Sequence, residues 1–284
     1  MDVLLAGCGW LGREVARRLL ARGDRVTALT RTEKSASSLR ESGIEALALD
    51  LATPGASRSI PGRYDGIVTL QSASGHGEAA YRRAYLDATL AVLESEGAAG
   101  SAFVSVSSTG VFGQTDGSWV DESTPPSPAD PTSEVLVKAE RLVLDRSRHR
   151  CVPRIVRCSG LYGPGRIGTI ERVHAGSLAL GDGDETWMNF CHRDDAAVAV
   201  IAALDRGSPG EIYHASDASP AMRRDVVSWI ASRLAIEPFR RSEPSAPGGR
   251  RGANRRVNAE ATRRELGTVL TYPSFREGLA PFFG

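Results

Sequence analysis

The residues best placed for chemistry lie near the start of the chain, in Gly7-Cys8-Gly9-Trp10-Leu11-Gly12. An apolar run at 3–6 leads into them, and apolar residues at helical spacing follow over 11–22. Glycines at the first, third and sixth positions of such a strand, turn and helix suit the pyrophosphate of a dinucleotide. Gly7 permits the turn, Gly9 lets the backbone approach the phosphates, and Gly12 lets the helix pack close on the strand. Trp10 and Leu11 open the helix, whose unpaired N–H groups and positive dipole end favour an anion. The alternative is a plain glycine turn.

A second strand over 25–30 ends in Thr30-Arg31-Thr32. An acid there would meet a ribose 2′-hydroxyl, whereas an arginine between two hydroxyls suits a 2′-phosphate. This points to NADP, with NAD also possible; otherwise Arg31 simply points to water. Asp50-Leu51, closing a third strand, is placed either at the adenine edge or as an ordinary turn. His76 stands in a Ser-Gly-His-Gly loop after the fourth strand and could titrate near neutral pH, or be an exposed loop histidine. No cluster has metal-ligand spacing, and no GxSxG motif occurs.

These residues need a frame to hold them. Strands are expected over 3–6, 25–30, 44–50, 66–71, 102–106 and 154–158, apolar almost throughout. Helices are expected between them over 11–22, 34–42, 78–96 and 131–148, and later over 167–180, 194–206 and 220–234. Ser219-Pro220 reads as the start of the last. The alternation predicts an α/β protein with a parallel doubly wound sheet. Asp121–Pro131 holds four prolines and reads as a surface loop. Glu237–Val257 is rich in Pro, Gly and Ser, with paired arginines at 240–241, 250–251 and 255–256; it is a solvated loop or a basic lid over an anionic substrate.

The 284 residues suit one large or two ordinary domains, at about 150 residues each. Net charge is +1, which gives no field favouring nucleic acid or an anionic membrane. The longest apolar run, 196–204, is far short of the roughly 20 residues of a membrane span. The opening residues lack a basic leader region, and Cys8, Cys151, Cys158 and Cys191 show no paired spacing. Reduced thiols and a cytoplasmic location are expected.

Further motifs join the glycine loop: Ser107-Ser108-Thr109-Gly110-Val111-Phe112-Gly113, then 155–165 (IVRCSGLYGPG), Asn189–Asp195 (NFCHRDD) and Arg263–Gly267. In this order the chain resembles the extended or atypical short-chain dehydrogenases/reductases, the NAD-dependent epimerase/dehydratase family, over essentially its whole length. The resemblance implies a Rossmann-type domain spanning 1–160 and part of 190–235, and a small C-terminal substrate subdomain built from 161–190 and 236–284.

The resemblance also implies a catalytic set. Ser108 would orient a substrate carbonyl. Lys138 would bind the nicotinamide ribose. The family's acid/base tyrosine, four residues before the lysine, is replaced by Glu134. Glu134 either carries a proton or forms the favoured i,i+4 surface pair with Lys138. The family's helix asparagine is also changed, with Asp87 near its place. Candidate substrate residues are His76, Tyr162, His192 and Arg256. The implied function is an NADP-dependent oxidoreductase or epimerase/dehydratase-like enzyme on a small polar substrate, a nucleotide-linked sugar among the options. The alternative is a sensor or regulatory protein that binds NADP(H) without turnover.

Overall fold

The computed structural model describes residues 1–146, 150–181, 185–240 and 253–283. The end of one expected helix, at 147–148, and the arginines at 241 and 250–251 of the expected 237–257 loop lie outside them. Seven strands form the central sheet: β1 (Asp2–Ala6), β2 (Arg25–Thr30), β3 (Glu45–Ala48), β4 (Gly66–Thr69), β5 (Ala102–Ser108), β6 (Val152–Cys158) and β7 (Ile212–Ala215). All pairings are parallel, in the order 3-2-1-4-5-6-7.

Helices cover both faces. One carries α1 (Trp10–Ala21), α2 (Glu33–Glu41) and a later helix, Arg193–Arg206; Val3, Leu5, Val15, Leu39 and Val200 meet in its core. The other carries α3 (78–94), with a π-helical turn at Arg82–Asp87, and α4 (Pro131–Arg146). Leu4, Ile67, Val92, Phe103 and Val143 fill that side. Alternate residues of β1 thus enter opposite cores, as a pleated strand requires. Cys158 and Cys151 likewise fall in opposite clusters, and all four cysteines are buried free thiols.

A third core gathers Tyr162, Val173, Phe190, Val227, Ile230 and Phe275. The remaining helices are α5 (Gly168–His174), α6 (Arg193–Arg206, the helix above), α7 (Arg223–Arg233), α8 (Glu260–Leu266) and α9 (Phe275–Leu279), of which α5, α7 and α9 supply the helical residues of this core. Among the described residues no helix is long and apolar enough to cross a membrane.

Several expectations are corrected. β7 lies where the sequence pattern predicts no strand. The helix expected from Pro220 begins at Arg223, because Ala221–Met222 first pairs antiparallel with Trp187–Met188. The helix expected over 167–180 ends at His174. β3 is wet rather than apolar throughout: it is the sheet edge, and of its four residues only Ala46 is buried.

Candidate active site

The sheet order reverses between β1 and β4, and ligands of open α/β sheets bind at such a crevice beyond the carboxyl ends of the strands. A cleft of about 1270 Å³ opens there. Its walls come from the segments that leave β1 (9–12), β4 (70–73 and 75–77), β5 (106–109) and β6 (158–162). Residues 187–190 and several arginines face them.

The glycine loop shows which of its glycines serve the chain itself. Gly7 has φ +88°, and a Cβ there would lie 2.8 Å from Gln71 N. A Cβ on Gly12 would lie 2.9 Å from Gly7 O. At Gly9 a Cβ would meet nothing within 4 Å, yet the residue forms part of the cleft wall. Its open space is the approach a pyrophosphate needs, so the loop fits a dinucleotide. Trp10 Nε1 donates to Pro164 O at 2.8 Å. The guanidinium groups of Arg166 and Arg193 lie 5.4 and 5.5 Å from a Trp10 ring centroid, which holds Arg166 beside the loop. Leu11 also borders the cleft.

Past the cleft wall, Thr30 closes β2 and Thr32 caps α2, its Oγ1 accepting from Ser35 N at 3.3 Å. Between them the exposed Arg31 donates to Ser74 Oγ at 2.7 Å, bridging to the segment after β4. Asp50 accepts from Ala52 N at 3.1 Å and pairs with Arg83. Leu51 is buried in the core with Leu4 and Ile60.

Ser108 ends β5 in the cleft wall, its Oγ accepting from Gly110 N at 3.0 Å. Its floor is braced from below. Ser107 Oγ donates to Glu140 Oε1 at 2.6 Å, and Arg157 forks onto the same carboxylate at 3.0 and 2.7 Å. Both Glu140 and Arg157 are buried, which ties α4 to β5 and β6.

That brace fixes the rotation of α4 and corrects one expectation. Glu140 and Leu136 face inward, and Thr132 on the same side reaches the cleft. Residues 134 and 138 are two positions away, about 200° round the helix. Glu134 and Lys138 therefore pair with each other at 3.7 Å, 54% and 53% exposed, outside the cleft. They make the surface ion pair rather than a site facing the cofactor.

Two more candidates stand elsewhere. His192 is buried behind the wall, and its Nδ1 accepts from Asp194 N at 3.2 Å, capping α6; burial lowers its pKa. Arg256 lies over Trp119 and Trp187, 4.8 and 5.0 Å from their ring centroids, and donates to Gly117 O. Its neighbour Arg255 borders the cleft instead. His76 and Tyr162 do border it. The Tyr162 phenol is held neutral by burial and by the nearby Asp217, and donates to Ser274 O at 3.5 Å. Cys158 is a thiol pushed up to about 12 by burial, so it offers no thiolate.

Other wall residues belong to none of the sequence motifs: Tyr81, Tyr85, Thr132, Arg166, Arg172 and Arg223. The two tyrosines, one helical turn apart with ring centroids at 5.3 Å, come from α3. Their i,i+4 spacing is the sequence feature that could have drawn attention to them. Asp87, on the same helix, is exposed and not part of the wall.

Against known proteins, the NAD dependent epimerase/dehydratase family matches residues 3–216. Protein YeeZ of Escherichia coli (strain K12) is 30% identical over 282 residues, covering 95% of this chain and 96% of that one. A 3-diazoavenalumate denitrifying reductase of a Streptomyces species is 30% identical over 311 residues, covering 98% and 99%. Among solved structures, a double mutant of DesIV, a dTDP-glucose 4,6-dehydratase of Streptomyces venezuelae with NAD and DAU bound, superposes with a TM-score of 0.83. It is 23% identical and covers 100% of this chain and 96% of that one, a likeness of fold.

Proposed function

Because the chain belongs to the NAD dependent epimerase/dehydratase family, we propose that it is an oxidoreductase that uses NADP(H) on a small polar substrate. The observation that carries this reading is that one cleft runs from the open space over Gly9 to Ser108. The amides at 9–12 would hold the pyrophosphate, with Arg166 beside them. Arg31, with the Thr32-capped start of α2, would hold the 2′-phosphate. A bound nicotinamide dinucleotide supplies hydride transfer there.

The chain's own residues supply the rest. The Ser108 hydroxyl donates to the substrate oxygen as charge builds on it, an oriented donor of the kind worth a few kcal/mol in a transition state. Glu134 and Lys138 drop out of the set because they do not reach the cleft. Tyr81 and Tyr85, which border the cleft, would carry the proton in place of the family's tyrosine. The reductase named among the relatives accords with hydride delivery in the reducing direction.

The experiment compares NADPH and NADH titrations of the wild type and Arg31→Ala. A charge-assisted contact is worth about 1.5–3 kcal/mol, so NADPH binds roughly tenfold or more tighter, and Arg31→Ala removes that margin. Equal affinities, or a margin that survives the substitution, reject the cofactor assignment. The absence of a lysine in the cleft at the family's position favours a second reading, a sensor that retains NADPH. Oxidation of bound NADPH by any member of a carbonyl panel decides against the sensor.

A further inference from the structure

We propose that residues 271–279 form a latch behind the cleft wall, held shut by one proton on Asp217 and felt in the cleft through Tyr162. Its bearing on the reaction rests on the reading of the cleft as an NADP(H)-dependent active site; the latch itself does not.

The segment docks through a few bonds that converge on one place. Asp195 of α6 accepts from Thr271 N and Tyr272 N at 2.9 and 3.0 Å. Ala218 N donates to Pro273 O at 3.0 Å. Phe275 then enters the third core against Phe190 and Trp229, with ring centroids at 5.6 and 5.4 Å. Asp217 lies at this junction, just past the end of β7, and its N donates to Phe190 O at 2.7 Å. It is 2% exposed. Its Oδ1 accepts from Ser219 N at 3.2 Å, while its Oδ2 is buried and has no hydrogen-bond partner. A carboxylate so placed costs far more than the neutral acid.

The surroundings oppose a negative charge as well. The groups that act on Asp217 are Asp195 from α6, Arg263 from α8 and Glu277 from α9. The Tyr162 phenol and Cys191 thiol join them from the paired strands 160–162 and 190–192. Three carboxyls thus stand around a single cation, and Arg263 Nη1 is itself directed to Ser216 O at 3.5 Å. Burial above all pushes the Asp217 carboxyl up to about 8, so it keeps its proton at neutral pH.

Opening the segment hydrates Asp217, which returns to the ordinary carboxyl value of about 4 and releases its proton to solvent. Rising pH therefore favours the open segment, by up to about tenfold per unit. The gain stops at about pH 8, where the docked form ionises too. Tyr162 carries the change to the cleft. It stands in the cleft wall and its hydroxyl donates to Ser274 O at 3.5 Å. Gly278 packs against it so closely that a Cβ there would overlap the phenol. With 271–279 released, this side chain loses its seat and the wall segment after β6 loosens.

The test is hydrogen exchange read by mass spectrometry on cofactor-free protein from about pH 5.5 to 9, corrected for the intrinsic exchange rate. Peptides covering 271–279 should exchange ahead of those from β1, through local opening. Their protection should fall by about three- to tenfold per pH unit up to about pH 8 and level off above it. Peptides covering 160–163 should follow in parallel. Asp217→Asn, a neutral isostere, should make the protection of 271–279 independent of pH to within about twofold. Glu277→Gln alters an exposed residue and should move the levelling point to lower pH, which covers the case where Asp217→Asn does not fold. Protection of 271–279 that ignores pH in the wild type, or a dependence that both substitutions leave unchanged, overturns the proposal. So does a segment that opens no sooner than β1, or a response that leaves 160–163 unmoved. No cofactor enters this measurement, so a failed latch and a failed NADP(H) reading are told apart.

Discussion

Gly9→Val folds with an unchanged melting temperature and loses NADP(H) affinity by a hundredfold or more. The two halves of this result have different causes. A side chain at Gly9 would meet no protein atom within 4 Å, so the fold has room for it. The same space is where the pyrophosphate must approach the backbone amides. An isopropyl group there holds the phosphates away from the N–H groups at 9–12. Losing two charge-assisted hydrogen bonds of about 1.5–3 kcal/mol each gives a loss of at least that size. Gly7→Val is the contrasting variant: a positive φ and a Cβ 2.8 Å from Gln71 N mean that it damages the fold itself. Calorimetric melting and fluorescence titration separate the two. Normal binding by Gly9→Val places the pyrophosphate elsewhere.

Glu140→Gln lowers the melting temperature by roughly 10 °C. Arg157 is 1% exposed, and the carboxylate of Glu140 is its fork partner. Removing one charge of a buried pair strands the other, at about 3–5 kcal/mol. In a chain of this size each kcal/mol moves the melting temperature by about 2–4 °C. Glu140→Leu combined with Arg157→Met removes both charges and recovers most of the loss, since no ion is left unpaired. A Glu140→Gln shift under about 2 °C would show that the brace contributes little to the floor beneath Ser108.

The first half of the fold is legible because its elements are locally consistent. β1, the glycine loop and α1 follow one another with no tertiary information needed, and strands covered on both faces read as apolar runs. β7 does not read that way. Its His214 is buried in the strand, with Nδ1 against Asn258 O, forty-four residues on. Such a polar strand is stabilised by partners that local pattern cannot reveal.

The site shows the same limit. In α4, Val135, Leu136, Val137 and Ala139 are all buried, so the apolar pattern leaves the inward face open by two positions. Glu140 settles it through Arg157, seventeen residues away. Sequence alignment to YxxxK chose Lys138; the packing chose the other side. Arg255 and Arg256 are adjacent and alike, and only the pairing of Arg256–Val257 with Trp119–Val120 decides which faces the cleft.

A crystal structure of the protein with NADPH tests the central claim most directly. The account predicts the pyrophosphate on the amides at 9–12, the 2′-phosphate against Arg31, and the nicotinamide ring on the Ser108 side of the cleft, with Lys138 still paired to Glu134 outside it. A dinucleotide bound away from Gly9, or a 2′-phosphate with no contact to Arg31, would contradict it.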